Sequence, residues 1–232
     1  MTSTMKLHIL KPSVNNLAVR VFVRAAGLDV TEIDAWGQTR SEGFMAKCPA
    51  HLTPMLECDE LPNGAIWESS AIMQYLANRH KLTTFYPVKP EKRAMIDCAL
   101  FYITGTIYPL VARATYPALG FPQYPGEVGA SNANNKAKEE ARKAANIALM
   151  EPLQAFREFY LDKRRFVGGP HPTIADIRLV TSLEFLAAVD YNKVKPWART
   201  YMERLEEKLG AAYSEPAADV RDYISHIRLH GV

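Results

Sequence analysis

The spacing of apolar residues changes several times over the first third of the chain. Short runs in which apolar and polar residues alternate predict strands, and longer runs with apolar residues three or four positions apart predict helices. Asn63-Gly64, between two of the short runs, is a strong hairpin signal. The pattern predicts strands at residues 5–10, 29–36, 54–58 and 65–67, a helix at 17–26, a weakly helical stretch at 38–47, and a helix from Glu68 to about His80.

Beyond a connector with two prolines, Phe85 to Pro90, the strand signal disappears. Helical spacing is then found at residues 91–114, 137–162, 174–189 and 195–209, with a loop at 118–135 and a short last helix after Pro216. The order is a β-α-β unit, a hairpin with a helix, and then helices only. We therefore predict a small α/β domain with a mixed sheet at residues 4–86, a linker at 87–91 and an all-α helical bundle at 92–232.

Composition narrows the classes of function without adding a site. The 232 residues carry a net charge of +3, which gives no nucleic-acid signal. Three cysteines without a CxxC pair or ligand-spaced histidines argue against a disulfide framework and against a metal site. The first residues lack the apolar stretch of a signal peptide, and no apolar run is expected to span a membrane. A cytoplasmic location is therefore expected.

One stretch, Trp67-Glu68-Ser69-Ser70, opens a predicted helix and allows two interpretations. A carboxylate in a first helical turn faces the positive end of the helix dipole, and a serine there can cap free N–H groups. The same groups can instead hold the charged end of a ligand. Taken alone, the stretch favours simple capping.

Four sequence motifs follow one another along the chain and together span nearly its full length. They are Pro49-Ala50-His51-Leu52-Thr53-Pro54; Trp67 to Ile72; Phe85-Tyr86-Pro87 with Lys92-Arg93-Ala94 and Gly105 to Tyr108; and Phe166 to Gly169 with Thr173-Ile174-Ala175-Asp176. In this order they resemble the cytosolic glutathione transferases, closest to the delta and epsilon classes and then to theta. The resemblance implies a thioredoxin-like first domain (βαβαββα, with a mixed four-stranded sheet), glutathione as co-substrate, no metal, and a homodimer.

The resemblance also implies how glutathione is held. Pro54 stands where thioredoxin-like domains have a cis-proline, so Thr53 would offer its backbone N–H and C=O to an extended peptide. Glu68 would pair with the γ-glutamyl ammonium. Ser69 and the free helix N–H groups would hold the γ-glutamyl carboxylate.

Ser13 is implied as the catalytic residue, because it precedes the first helix where theta, delta and phi enzymes keep a serine. Its hydroxyl can donate a hydrogen bond to the glutathione thiolate and so favour ionisation. A loop or capping serine is the alternative, and Asn15 and Asn16 could also donate. A thiol-exchange reductase would need a cysteine at this position, so a transferase is favoured.

The matching classes line their electrophile pocket from one helix of the second domain, which here implies a wall of Tyr108, Tyr116, Leu119 and Phe121. Such a wall fits hydrophobic electrophiles without naming one, although aromatic residues at helical spacing are more often simply core. The implied function is detoxification, by addition of the glutathione thiolate to a hydrophobic electrophile.

The chain departs from the resemblance at three positions. Delta enzymes usually have arginine where this chain has Ser70, and often an acidic residue where it has Ile103. Leu52 replaces a basic glutathione contact of theta enzymes. His51 would then reach the glycyl carboxylate, unless it is an ordinary loop histidine. A non-catalytic glutathione-transferase-like protein, either a ligand carrier or a scaffold module, is therefore the alternative function.

Overall fold

A computed structural model describes residues 5–119 and 135–230. Its first part contains a four-stranded sheet in the order β2-β1-β3-β4. The pair β1 and β2 is parallel, as a β-α-β unit requires, and the other two pairs are antiparallel. The strands are β1 (Lys6–Ile9), β2 (Thr31–Asp34), β3 (Met55–Glu57) and β4 (Ala65–Ile66).

Three helices accompany the sheet: α1 (Val14–Ala25), α2 (Glu42–Met45) and α3 (Ser69–Arg79). Helix α1 begins three residues before the predicted start at position 17. Asn15 and Asn16, which precede the predicted start, lie in the first helical turn, where Leu17 N–H donates to the Ser13 carbonyl at 2.8 Å. Asn16 is buried there because its side chain bonds another segment, which the local pattern does not reveal.

Beyond the sheet the described chain is helical, with π-helical turns at Ile103–Ile107 and Arg157–Leu161 and a 3₁₀ turn at Tyr191–Lys193. The predicted combination of a thioredoxin-like domain with an all-α bundle is confirmed. The helices are α4 (Pro90–Tyr102), α5 (Tyr108–Leu119), α6 (Asn135–Ala148), α7 (Met150–Phe156), α8 (Ile174–Val189), α9 (Pro196–Leu209) and α10 (Ala211–His230).

One expectation for the helical part was wrong. The last helix is not short and does not follow Pro216, because α10 runs for 20 residues from Ala211 with Pro216 inside it. Pro216 is buried there, and its carbonyl lies 3.5 Å from the Arg20 guanidinium, so tertiary contact fixes this stretch as helix.

The continuous helical run Pro90–Leu119, 30 residues long, is apolar enough to cross a membrane by length and composition alone. Core helices pass the same test, and α4 and α5 both pack on α8.

Helix α1 joins the two parts of the molecule. It packs on α3 from the first part and on α8 and α10 from the second. Arg20, which is buried, donates to Glu32 on β2 at 3.1 Å and to Asp219 on α10 at 2.8 Å. The position of α1 is therefore set by contacts with both parts.

Helix α8 starts with a capping box formed by Thr173 and Asp176. The fully buried Asp176 carboxylate accepts hydrogen bonds from Thr173 N at 2.7 Å and Thr173 Oγ1 at 2.6 Å. It also accepts from Val167 N at 2.8 Å and from the Tyr201 hydroxyl at 2.5 Å. Burial raises the pKa of Asp176, while these hydrogen bonds act in the opposite direction. The carboxylate therefore ties the loop before α8, the helix start and α9 together.

Replacing Asp176 with alanine is expected to lower the free energy of unfolding by about 3–5 kcal/mol, because several buried donors lose their acceptor. Asp190→Ala is the matched control, since Asp190 accepts from Asn192 N at 3.0 Å at an exposed turn. That substitution should cost about 1 kcal/mol. Urea unfolding followed by circular dichroism measures both. Equal losses for the two variants would contradict the structural role assigned to Asp176.

Candidate active site

The sheet register brings the predicted site segments together. Strand β1 pairs with β3 in antiparallel register, with His8 opposite Met55. The end of β1, which leads to Ser13, therefore lies beside the start of β3, which follows Pro54. A hydrogen bond of 3.2 Å from Asn16 Nδ2 to Thr53 Oγ1 closes this junction. The start of α1 and the loop before β3 thus form one wall.

Ser13 is the N-cap residue of α1, with extended backbone dihedrals of φ −84° and ψ 127°. Its side chain makes no capping hydrogen bond. Its backbone N–H donates to the Leu10 carbonyl at 3.0 Å, and the side chain is half-buried. The backbone therefore has the capping position while the hydroxyl is not used as a cap, so the capping alternative does not account for this serine.

The Thr53–Pro54 peptide bond is cis, as expected from its position before β3. Within the described residues, neither the N–H nor the C=O of Thr53 pairs with another backbone group. His51 has left-handed backbone dihedrals with φ 45°, and its N–H donates to the Cys48 carbonyl at 2.8 Å. The Leu52 side chain is 46% exposed. This loop presents backbone groups and a half-buried histidine beside Ser13.

The start of α3 does not follow the simple capping interpretation. Glu68, not a serine, is the N-cap residue, and it makes no side-chain capping bond. Ser69 is the first helical residue, so it does not occupy the N-cap position. It is also buried, with 3% of its surface exposed. The first intrahelical bond runs from Ile72 N to the Glu68 carbonyl at 2.9 Å, which leaves the N–H groups of residues 69–71 outside the helical pattern. The Trp67–Glu68 peptide bond is also cis.

The residues predicted to line an electrophile pocket have unequal environments. Tyr108 and Tyr116 bring their hydroxyl oxygens within 2.5 Å, so this part of the wall is polar. The Tyr116 ring stands edge-on to Phe185, with 6.1 Å between ring centroids. Leu119 is 1% exposed and packs in the main core. Phe121 lies outside the described residues.

Sequence reasoning missed the contact that connects this wall to the start of α1. Asn15 Nδ2 donates to the Tyr108 hydroxyl at 2.8 Å, and Asn15 Oδ1 accepts from Arg178 on α8 at 2.7 Å. Arg178 is 2% exposed, and its guanidinium carbon lies 4.7 Å from the centroid of the Tyr108 ring. The available signal was a lone arginine in an otherwise apolar turn of α8, which periodicity alone does not assign to a site.

Glu68 also belongs to this neighbourhood. Burial raises the pKa of Tyr108, and the negative charge of Glu68 adds to the rise. Hydrogen bonds from Tyr116 and Asn15 and the positive charge of Arg178 oppose it. The site thus places a carboxylate and a guanidinium around the same phenol.

Two of the three departures from the expected pattern, Ser70 and Ile103, replace charged residues. Ser70 Oγ is buried, with no hydrogen-bond partner in the described part of the chain. Ile103 is fully buried and begins the π-helical turn after α4. Neither position supplies a charge to the site. Residues 5–119 and 135–230 contain no cluster of three His, Cys, Asp or Glu side chains that could hold a metal ion.

Comparison with known proteins agrees with this geometry. Residues 3–78 match the family model of the glutathione S-transferase N-terminal domain. A Bombyx mori glutathione transferase, BmGSTD1, is 26% identical over 97% of this chain and 98% of that chain, with a TM-score of 0.73. A delta-class glutathione transferase of Nilaparvata lugens is 24% identical over 96% of this chain and 99% of that chain, with a TM-score of 0.72.

Human glutathione transferase theta-2, solved in complex with glutathione and an unknown ligand, superposes with a TM-score of 0.80. It is 21% identical, and the match covers 97% of this chain and 90% of that chain. The likeness inferred from the four sequence stretches is therefore confirmed. Residues 3–78 are similar to the glutathione S-transferase N-terminal domain, and the chain shares the overall fold of the delta and theta class glutathione transferases.

Proposed function

We propose that this protein is a glutathione transferase that adds the glutathione thiolate to hydrophobic electrophiles, with the Ser13 hydroxyl stabilising the thiolate. One observation carries the proposal. Residues 3–78, which match the glutathione S-transferase N-terminal domain, contain a helix start without a side-chain cap and a serine that does not cap its helix, and within the described part of the chain the Thr53 backbone pairs with no other backbone group. Each of these groups has unused hydrogen-bonding capacity of the kind that a charged tripeptide requires.

Glutathione fits the groups present. An extended peptide can pair its backbone with the N–H and C=O of Thr53 by strand addition. Its γ-glutamyl carboxylate fits the N–H groups of residues 69–71 at the positive end of α3, with the Ser69 hydroxyl beside them. Its γ-glutamyl ammonium fits the exposed Glu68 carboxylate. His51, next to Leu52, would reach the glycyl carboxylate.

Bound glutathione would supply a thiol that reacts as a thiolate. A free thiol has a pKa of about 8.5, and lowering it by two units corresponds to about 2.7 kcal/mol. One hydrogen bond to a charged group contributes about 1.5–3 kcal/mol, so the Ser13 hydroxyl is sufficient with help from the positive end of α1. Tyr108, Tyr116 and Phe121 would border the space for the electrophile, and Leu119 would pack behind them in the core.

The remaining parts of the proposal concern organisation. Residues 4–86 would bind glutathione, residues 87–91 would connect the domains, and residues 92–232 would line the electrophile site. Helix α4 begins at Pro90, inside this connector. We further propose a homodimer with a detoxifying role in the cytoplasm, by analogy with the delta and theta class enzymes that the chain resembles.

Ser13→Ala is expected to raise the pKa of bound glutathione and to lower turnover of a chlorodinitrobenzene-type substrate about 10- to 100-fold at neutral pH. The acid limb of the rate profile should move to higher pH, because the thiolate loses a donor. Ser41→Ala is the control: its hydroxyl accepts from Phe44 N at 3.3 Å at the start of α2. Glutathione binding without turnover in the wild-type protein would favour the non-catalytic carrier. No glutathione binding would refute the enzyme proposal.

Glu68→Gln is expected to weaken glutathione binding about fivefold, because an exposed ion pair with the γ-glutamyl ammonium contributes about 1 kcal/mol. A glutaryl analogue that lacks this ammonium should bind wild type and variant equally. Glu60→Gln is the control, since Glu60 pairs with Arg79 at the other end of α3. Calorimetric titration of the three proteins with both tripeptides measures the effect. Discrimination against the analogue that survives in Glu68→Gln would place the ammonium elsewhere.

A further inference from the structure

Arg178 is a charged side chain in an unusually dry position. It lies in the first turns of α8 with 2% of its surface exposed, and residues Ile174–Leu186 are all buried. Its guanidinium donates to Asn15 Oδ1 at 2.7 Å and to Ser182 Oγ at 2.5 Å. The same group lies over the face of Tyr108. Contacts from α1, α5 and α8 therefore hold it in one orientation.

The guanidinium fixes the orientation of Asn15. Arginine has only donors, so the amide atom facing Arg178 has to be the acceptor Oδ1. The amide nitrogen then faces Tyr108 and donates to its hydroxyl at 2.8 Å. The Tyr108 oxygen accepts this bond and lies 2.5 Å from the Tyr116 hydroxyl. One cation thus sets the hydrogen-bond direction along a line that runs from α8 through α1 to α5.

This line runs beside the proposed glutathione site, because Tyr108 lies within electrostatic range of Glu68. Asn15 is in the first turn of α1, two residues after Ser13. Among the described residues, the titratable and charged groups that shift the pKa of Tyr108 are Glu68 at the start of α3, Tyr116 on α5 and Arg178 on α8. The guanidinium supplies positive charge on this side, opposite in sign to Glu68. A buried positive charge within several ångströms lowers the pKa of an acid by roughly one unit or more.

Stability alone does not account for an arginine here. Taking a guanidinium out of water is costly, and a well-packed apolar side chain in such a position is often as stabilising or more so. The neighbouring residues of α8 are Ile177 and Leu179. An apolar residue would continue this pattern, so the charge calls for a role that an apolar side chain cannot perform.

Building on the proposed transferase activity, we propose that Arg178 is a positioning residue of the glutathione site. It orients Asn15 and Tyr108, and it adds positive potential where the glutathione sulfur would lie beside Ser13. It touches neither the peptide nor the electrophile. Its effect is on the ionisation of the bound thiol and not on recognition of the peptide backbone.

The test follows the ultraviolet absorbance of bound thiolate as a function of pH at saturating glutathione. Arg178→Met is expected to raise the pKa of the bound thiol by about one unit, which is a tenfold loss of thiolate below that pKa. Arg178→Lys should recover part of the shift, because the charge returns without the fork of donors. Glutathione affinity measured by calorimetry well below the pKa of the bound thiol, where both proteins bind the thiol form, should change less than threefold.

Asn15→Asp is a second variant that does not depend on tolerance of a new core residue. It keeps the size of the side chain and the acceptor for Arg178, but its carboxylate cancels the positive charge. The pKa of the bound thiol should rise here as well, by about one unit. This variant decides the question if Arg178→Met does not fold.

Arg221→Gln is the matched control, because Arg221 on α10 donates at 2.7 Å to Glu184, which lies on α8 like Arg178. It should lower thermal stability and leave the thiol pKa unchanged. Equal pKa rises in Arg221→Gln and Arg178→Met would overturn the inference, and so would unchanged values in Arg178→Met and Asn15→Asp. A wild-type protein that shows no bound thiolate at any pH would overturn the proposed function itself. An unchanged pKa alongside a clear wild-type thiolate would remove only the role of Arg178.

Discussion

The burial of α8 on every side is the constraint on which the rest of the structure depends. Thirteen consecutive residues, Ile174–Leu186, have no substantial exposure, and α1, α4, α5, α9 and α10 pack around them. Each charged group in that stretch must find its partners inside the protein, because an unsatisfied buried charge is costly. Asp176 meets this demand with the loop before the helix and α9, and Glu184 with Tyr213 and Arg221.

The third buried charge, Arg178, has its partners on α1 and α5: it donates to Asn15 and lies over the ring of Tyr108. The polar contacts of one central helix therefore fix the neighbouring helices at three points. One of these points is the first turn of α1, directly after Ser13, the serine proposed to stabilise the thiolate. The same helix, α1, therefore connects the sheet to the helical bundle and begins at the proposed site.

Much of the first part could be predicted from local signals. Alternation, the Asn63-Gly64 hairpin and the order of the four motifs indicated the sheet, and the residues around Pro54 and Glu68 were expected near Ser13. The start of α1 and the length of α10 could not be predicted in this way. Asn15, Asn16 and Pro216 read locally as turn formers, and contacts made by distant segments decide their conformation. Arg178 escaped notice for the same reason, since its partner Asn15 is 163 positions away.

The helix start at α3 has a consequence for the state of the protein without ligand. Three N–H groups in that first turn depend on water or on a bound anion, because no side chain of the turn serves them as a cap. An anion bound at this position accepts hydrogen bonds from these N–H groups and so stabilises the first helical turn. Anion binding and ordering of this turn are therefore thermodynamically coupled. The empty protein should accordingly exchange its amide hydrogens fastest at the beginning of α3, and a saturating tripeptide should slow that exchange before it affects any other part of the domain.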